Sequence, residues 1–105
     1  MRETRKRFTP EARRLIRKLP PEAKRPLRAL TDEIATNPLM GKELQKELRA
    51  FRSARYSHYR VIYEHDPEKG WVTIHFVGKR ENVYELFTKL VGLEKLPKVV
   101  ERLRS

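Results

Sequence analysis

The sequence contains no cysteine among its 105 residues, so no disulfide framework and no thiolate-ligated zinc or iron–sulfur site can form. Glycine is scarce, at four residues, and none builds a phosphate-cradling loop or a nucleophile elbow. No apolar run approaches the roughly 20 residues of a membrane helix. The basic start, MRETRKRF, is not followed by the apolar stretch of a secretion signal. His58, His65 and His75 are the three histidines. None has a second histidine at i+3 or i+4, so neither a metal nor another cofactor is expected. Acid is also in deficit: 25 Lys and Arg face 14 Asp and Glu, a net charge of +11. These absences leave a soluble, cytoplasmic protein of one domain whose partner is anionic.

The cationic surplus is uneven. Residues 1–60 carry 17 Lys and Arg against 7 Asp and Glu, whereas residues 61–105 carry 8 against 7. Most of these charges alternate with apolar positions, which describes the outer faces of folded elements rather than a disordered tail.

Residues 2–8 read as a short edge strand with Phe8 as its apolar anchor. Thr9-Pro10-Glu11 is a helix start: a capping hydroxyl, a proline at the first helical position and an acid in the first turn. Leu15, Ile16 and Leu19 supply its apolar stripe, and Pro20-Pro21 ends it. A second helix places Ala23, Leu27, Leu30 and Ile34 on one face. Pro26 either kinks this helix or marks its start, and Asn37-Pro38 stops it. Leu44 and Leu48 are helical or irregular. From Arg49 the period falls to two, giving strands over 51–56, 59–64 and 71–77. Ser57-His58 is a tight reversal, Asp66 to Gly70 a hairpin loop, and Gly78 closes the third strand. Residues 81–90 read as a helix, and Leu96, Val99, Val100 and Leu103 suggest a final one. The expected fold is α+β: a strand, a helical hairpin and a three-stranded meander in an antiparallel sheet, helices packed on one face, plus a C-terminal helix. The domain is placed at 1–90, with 91–105 as a helical extension.

Alternation groups Arg52, Ala54 and Tyr56 opposite Phe51, Ser53 and Arg55, and Arg60, Ile62 and Glu64 opposite Tyr59, Val61 and Tyr63. An arginine in a covered strand needs a partner. One reading of Arg60 is a salt bridge to Glu81 or Glu85. The other is an anion site, where the planar guanidinium fork suits two phosphate oxygens. Arg80 and Tyr84 are at i and i+4 and can share a helical face. Tyr84 is either an amphipathic core tyrosine or a group that stacks on or orients a substrate.

The ordered series RSARYSHYRVIY (52–63), FVGKR (76–80) and NVY (82–84), preceded by FTPEA, a Leu-Pro break, Asn-Pro and Gly-Lys-Glu-Leu, resembles the RelE/ParE superfamily of toxins from type II toxin–antitoxin systems. The resemblance covers roughly residues 2–88. It implies a ribosome-dependent mRNA endoribonuclease, an mRNA interferase that cuts in the ribosomal A site without metal. The 2′-hydroxyl attacks the adjacent phosphate, leaving a cyclic phosphate and a 5′-hydroxyl. By match, Arg60 holds the scissile phosphate, Arg80 sits near the leaving oxygen, Tyr84 stacks on or orients the substrate, and Arg55 binds phosphate or lowers a neighbour's pKa. Arg52, His58, Lys79, Arg49 and Lys46 complete the basic RNA-binding set. The family often carries a basic residue where Ser53 stands, so the general base is unassigned. His58 either assists or is an ordinary turn residue. The implied partners are the ribosome with its mRNA and a cognate antitoxin that covers the basic face. Two other readings remain open: a ParE-type inhibitor of DNA gyrase, and a non-catalytic basic nucleic-acid-binding module.

Overall fold

The computed structural model describes residues 4–45 and 48–79. Five strands, β1 (Arg5–Phe8), β2 (Lys42–Glu43), β3 (Phe51–Tyr56), β4 (Tyr59–Asp66) and β5 (Trp71–Lys79), form one sheet in the order β1-β5-β4-β3-β2. Two helices, α1 (Pro10–Arg17) and α2 (Pro21–Thr36), connect β1 to β2. The helix expected over 81–90, the one after Leu93 and the extension 91–105 lie outside the described residues.

The start of α1 follows from its sequence. Thr9 has an extended backbone, and its hydroxyl accepts the Ala12 amide at 3.0 Å. Pro10 occupies a position whose amide would have no helical partner anyway. Replacing Thr9 with alanine removes this cap and should lower stability by about 1 kcal/mol, read as a shifted urea midpoint at unchanged slope. The α2 helix begins at Pro21 and runs through Pro26 to Thr36, so Pro26 neither starts nor ends it. The cost falls on the Glu22 carbonyl, which loses the amide four residues on.

The meander is antiparallel as expected, but β1 runs parallel to β5, Arg5 opposite Trp71 and Phe8 opposite Ile74. The sheet is therefore mixed rather than antiparallel. Strands this far apart in sequence are joined by a crossover, and the helical hairpin supplies it. The two-residue β2, which pairs Lys42 with Ser53 and Glu43 with Arg52, is an addition to the expected strands. Gly78 lies inside β5 rather than closing it. A Cβ there would come within 2.6 Å of the Phe76 ring, so glycine is what lets that ring lie against the strand.

Both sheet faces are used, differently. On the helical face, Ala12, Ile16, Ala23, Leu27, Leu30 and Ile34 pack against Ala54, Val61, Tyr63, Val72, Ile74 and Val77. On the opposite face, Ile62 and Phe76 are covered by Leu44 and Leu48, with Leu15 and Phe51 packed at the margin. Leu44 is tied to the strand by its amide, which donates to the Phe51 carbonyl at 3.0 Å. This small second core covers only the middle of its face.

The loop after α2 is pinned from below. The Tyr63 hydroxyl donates to the Pro38 carbonyl at 2.6 Å and accepts the Gly41 amide at 2.9 Å. Arg52 donates to the Gly41 carbonyl at 2.7 Å and stands 3.7 Å from Glu43. Gly41 is obligatory here, because a Cβ would meet the Tyr63 hydroxyl at 2.6 Å. Burial pushes the Tyr63 phenol above its ordinary pKa, against the lowering effect of the Gly41 hydrogen bond and the Arg52 charge.

Candidate functional site

The β3–β4 hairpin builds the basic end of the second face. Its two-residue reversal is Ser57-His58, with Ser57 in the left-handed region at φ 54°. This tight turn sets the register: Tyr56 faces Tyr59, Arg55 faces Arg60 and Ala54 faces Val61. Directly opposed residues point to the same side of a sheet. Arg55 and Arg60 are thus neighbours on the face away from the helices.

Two like charges opposite each other are unfavourable without an anion between or above them. Arg55 is exposed, whereas Arg60 is half-buried. The Arg60 Nε is fully buried and has no hydrogen-bond partner among the described residues. Among the described residues, no carboxylate pairs with Arg60. Glu81 and Glu85, the acids considered as partners from the sequence, lie outside them. Across from Arg60 on β5 stands Gly78, so no β5 side chain rises to screen the guanidinium at that position. Among the described residues, the Ser53 hydroxyl is also buried without a partner. Ser53 is opposite Ile62, two residues along β3 from Arg55 and on the same face. Lys42 faces Ser53 from β2 and is exposed. It brings a further ammonium group to this end of the sheet, beside the serine. Sequence reasoning missed Lys42, because nothing in the pattern of Gly41-Lys42-Glu43 announced a two-residue strand.

The other candidate residues are distributed as follows. Arg52 lies on the helical face of β3 and spends its guanidinium on the 38–41 loop, so it does not join Arg55 and Arg60. His58 is exposed at the reversal, Arg49 is exposed in the turn before β3, and Lys79 ends β5 opposite Tyr59, on the face away from Arg60. Arg80, Tyr84 and Lys46 lie outside the described residues.

Farther along the same face, the His75 Nε2 and Glu64 Oε1 are 3.0 Å apart, and the His75 ring meets Phe51 edge-on at 5.1 Å. A register shift between Ile62 and Tyr63 gives β5 the extra residue that makes this meeting possible. No sequence spacing reveals it. Among the described residues, no group of three or more His, Cys, Asp and Glu side chains is placed to hold a metal ion. No helix among them is long and apolar enough to cross a membrane.

A mixed five-stranded sheet with a helical hairpin on one face is a fold this chain shares with a toxin–antitoxin complex of known structure. Residues 5–84 match the ParE toxin of the type II toxin–antitoxin system, parDE, and the chain belongs to this family, within the RelE/ParE superfamily. Toxin RelG of Mycobacterium tuberculosis (strain ATCC 25618 / H37Rv) is 40% identical over 83 residues, spanning 74% of this chain and 92% of RelG. The toxin–antitoxin complex RelBE2 from Mycobacterium tuberculosis contains a chain with a TM-score of 0.70 at 36% identity, matched over 74% of this chain and 99% of that one. The isolated E. coli RelE toxin shares the fold, with a TM-score of 0.66 at 23% identity over 85% of this chain and 96% of RelE.

Proposed function

We propose that this toxin is a ribosome-dependent mRNA endoribonuclease. The observation that carries the reading is the Arg55–Arg60 pair, two guanidiniums opposed across the ladder with no carboxylate partner among the described residues. A phosphate placed over the pair relieves the like-charge opposition and accepts the bidentate geometry arginine offers. In the reaction, the 2′-oxygen forms a bond to phosphorus while the bond from phosphorus to the 5′-oxygen breaks. The products are a 2′,3′-cyclic phosphate and a 5′-hydroxyl. The 2′-hydroxyl proton passes to a base and the departing oxygen takes one up. Negative charge grows on the phosphoryl oxygens, and Arg60 is the fixed charge that stabilises it. By family resemblance, Arg80 serves the leaving oxygen and Tyr84 orients the substrate. Lys42 and Ser53 stand on the same face as the arginine pair and are candidates to serve the attacking hydroxyl.

A toxin requires restraint. RelBE2 is a toxin–antitoxin complex, and we assign this chain a cognate antitoxin as well. An acidic segment suits a face so poor in carboxylates. The family match to ParE keeps a second reading in view, inhibition of DNA gyrase by binding. Cleavage mapping in a translation extract, with and without ribosomes, separates the two. The expected result is mRNA cut only when ribosomes are present, with 5′-hydroxyl ends. Intact mRNA together with blocked supercoiling would replace the nuclease by the gyrase inhibitor.

A further inference from the structure

A second basic group occupies the far end of the same face. Arg5 and Arg7 project from β1 on the side opposite Lys6 and Phe8, which turn toward the helices. Their guanidiniums lie over the Trp71 ring, at 5.9 and 5.0 Å from its centroid. The Arg7 Nε also donates to the Thr73 hydroxyl at 2.9 Å. Register fixes the group, since Arg5 is opposite Trp71 and Arg7 opposite Thr73. Trp71 and Thr73 alternate with Val72 and Ile74 of the main core, so they belong to the face that carries Arg60.

Neither Arg5 nor Arg7 pairs with a carboxylate among the described residues. The carboxylate between them and Arg60 on this face, Glu64, is engaged with His75. Both arginines are ordered by an indole and a hydroxyl, and no carboxylate of the described residues takes up their charge. Strand spacing puts Arg7 and Arg60 roughly 15–20 Å apart: five residues along β5 and two strands across. One compact anion cannot touch both, but an extended polyanion can. Guanidinium planes over an indole are also surfaces on which unpaired bases stack, a contact an acidic peptide cannot make.

We propose that Arg5, Arg7 and Trp71 form the second anchor of a single-stranded RNA track that begins at Arg55 and Arg60. The track rests on the reading of that pair as a phosphate site, and the test keeps the two separable. Trp71 is the sole tryptophan of the chain, so its emission reports on this anchor alone. The intact protein is titrated with 2′-O-methyl oligonucleotides, which have no 2′-hydroxyl to attack, in a dinucleotide and an octanucleotide form. The octanucleotide should quench Trp71 and the dinucleotide should not. The R5Q/R7Q double variant should bind the octanucleotide about tenfold more weakly and lower the salt slope by about 1.4, the value for two phosphate contacts on a single strand. Its dinucleotide binding should match the wild type, whereas Arg60→Ala should weaken both ligands. Octanucleotide binding without quenching, or with wild-type affinity in the double variant, overturns the second anchor and leaves the Arg55–Arg60 site standing. Binding of neither oligonucleotide overturns both. Quenching by poly-glutamate and not by RNA overturns the track in favour of a protein partner.

Discussion

Replacing Arg60 with methionine should abolish growth arrest while leaving the protein at least as stable as the wild type. The two halves of this expectation come from one observation. A buried donor with no partner costs about 1–3 kcal/mol, and the Arg55 charge directly across the ladder adds repulsion. Methionine keeps a flexible apolar stem beside Ile62 and removes both penalties. The fold is therefore expected to gain from losing the group that the proposed chemistry needs, a trade-off frequent at active sites. A fixed charge or donor aimed at developing transition-state charge is worth about 10²–10³ in rate, enough to silence a toxin at moderate expression. Growth after induction and a urea melt of the same variant check the two halves. A toxic variant removes Arg60 from the chemistry. A non-toxic variant that melts far below the wild type shows that Arg60 serves the fold instead.

The largest loss of stability is expected from Tyr63→Phe. The ring stays, but the Pro38 carbonyl loses its donor and the Gly41 amide its acceptor, both at the buried floor of the loop after α2. The expected cost is about 2–3 kcal/mol. The hydroxyl also has a pH signature. Burial holds its pKa above 10.0 in the folded protein, so the unfolded chain releases this proton first as pH rises. The contribution is fully present below pH 10.0 and is lost as the pH climbs through the raised folded value. The stability gap between wild type and variant should therefore be constant from neutrality to about pH 10 and narrow beyond it. Urea midpoints for both proteins across that range provide the measurement. A gap that widens above pH 10 would mean that the ionised phenolate is the better partner for Arg52.

Much of this architecture is legible in the residues alone. Thr9-Pro10-Glu11 announces α1 through local chemistry. The period-two runs around Tyr59–Glu64 and Trp71–Val77 announce β4 and β5. Alternation also sorts Arg55 and Arg60 correctly within their own strands, away from Ala54 and Val61. Bringing the two arginines side by side requires a register, and the register depends on Ser57 accepting a left-handed backbone that the sequence does not advertise with glycine. The same limit explains the misses. β2 is two residues long and exists only because β3 offers an edge. The direction of β1 depends on a partner 66 positions away. His75 reaches Glu64 through a ladder irregularity that leaves no mark on either strand's pattern. Arg5, Arg7 and Trp71 are individually visible, but their stacking is a property of parallel pairing.

That parallel pairing also dictates an order of assembly. The β3–β4 and β4–β5 hairpins close short loops and can form as soon as their residues are available. β1 has no strand to join until Trp71–Ile74 has been made, because the Arg5 amide bonds to the Gly70 carbonyl and the Thr9 amide to the Ile74 carbonyl. Non-local closures of this length carry their entropy cost before any contact offsets it. During synthesis at about 5–20 residues per second, the first strand therefore waits several seconds for its place. Through that interval the nascent chain has its helices and no complete sheet. The sheet is complete only once β1 has docked on β5.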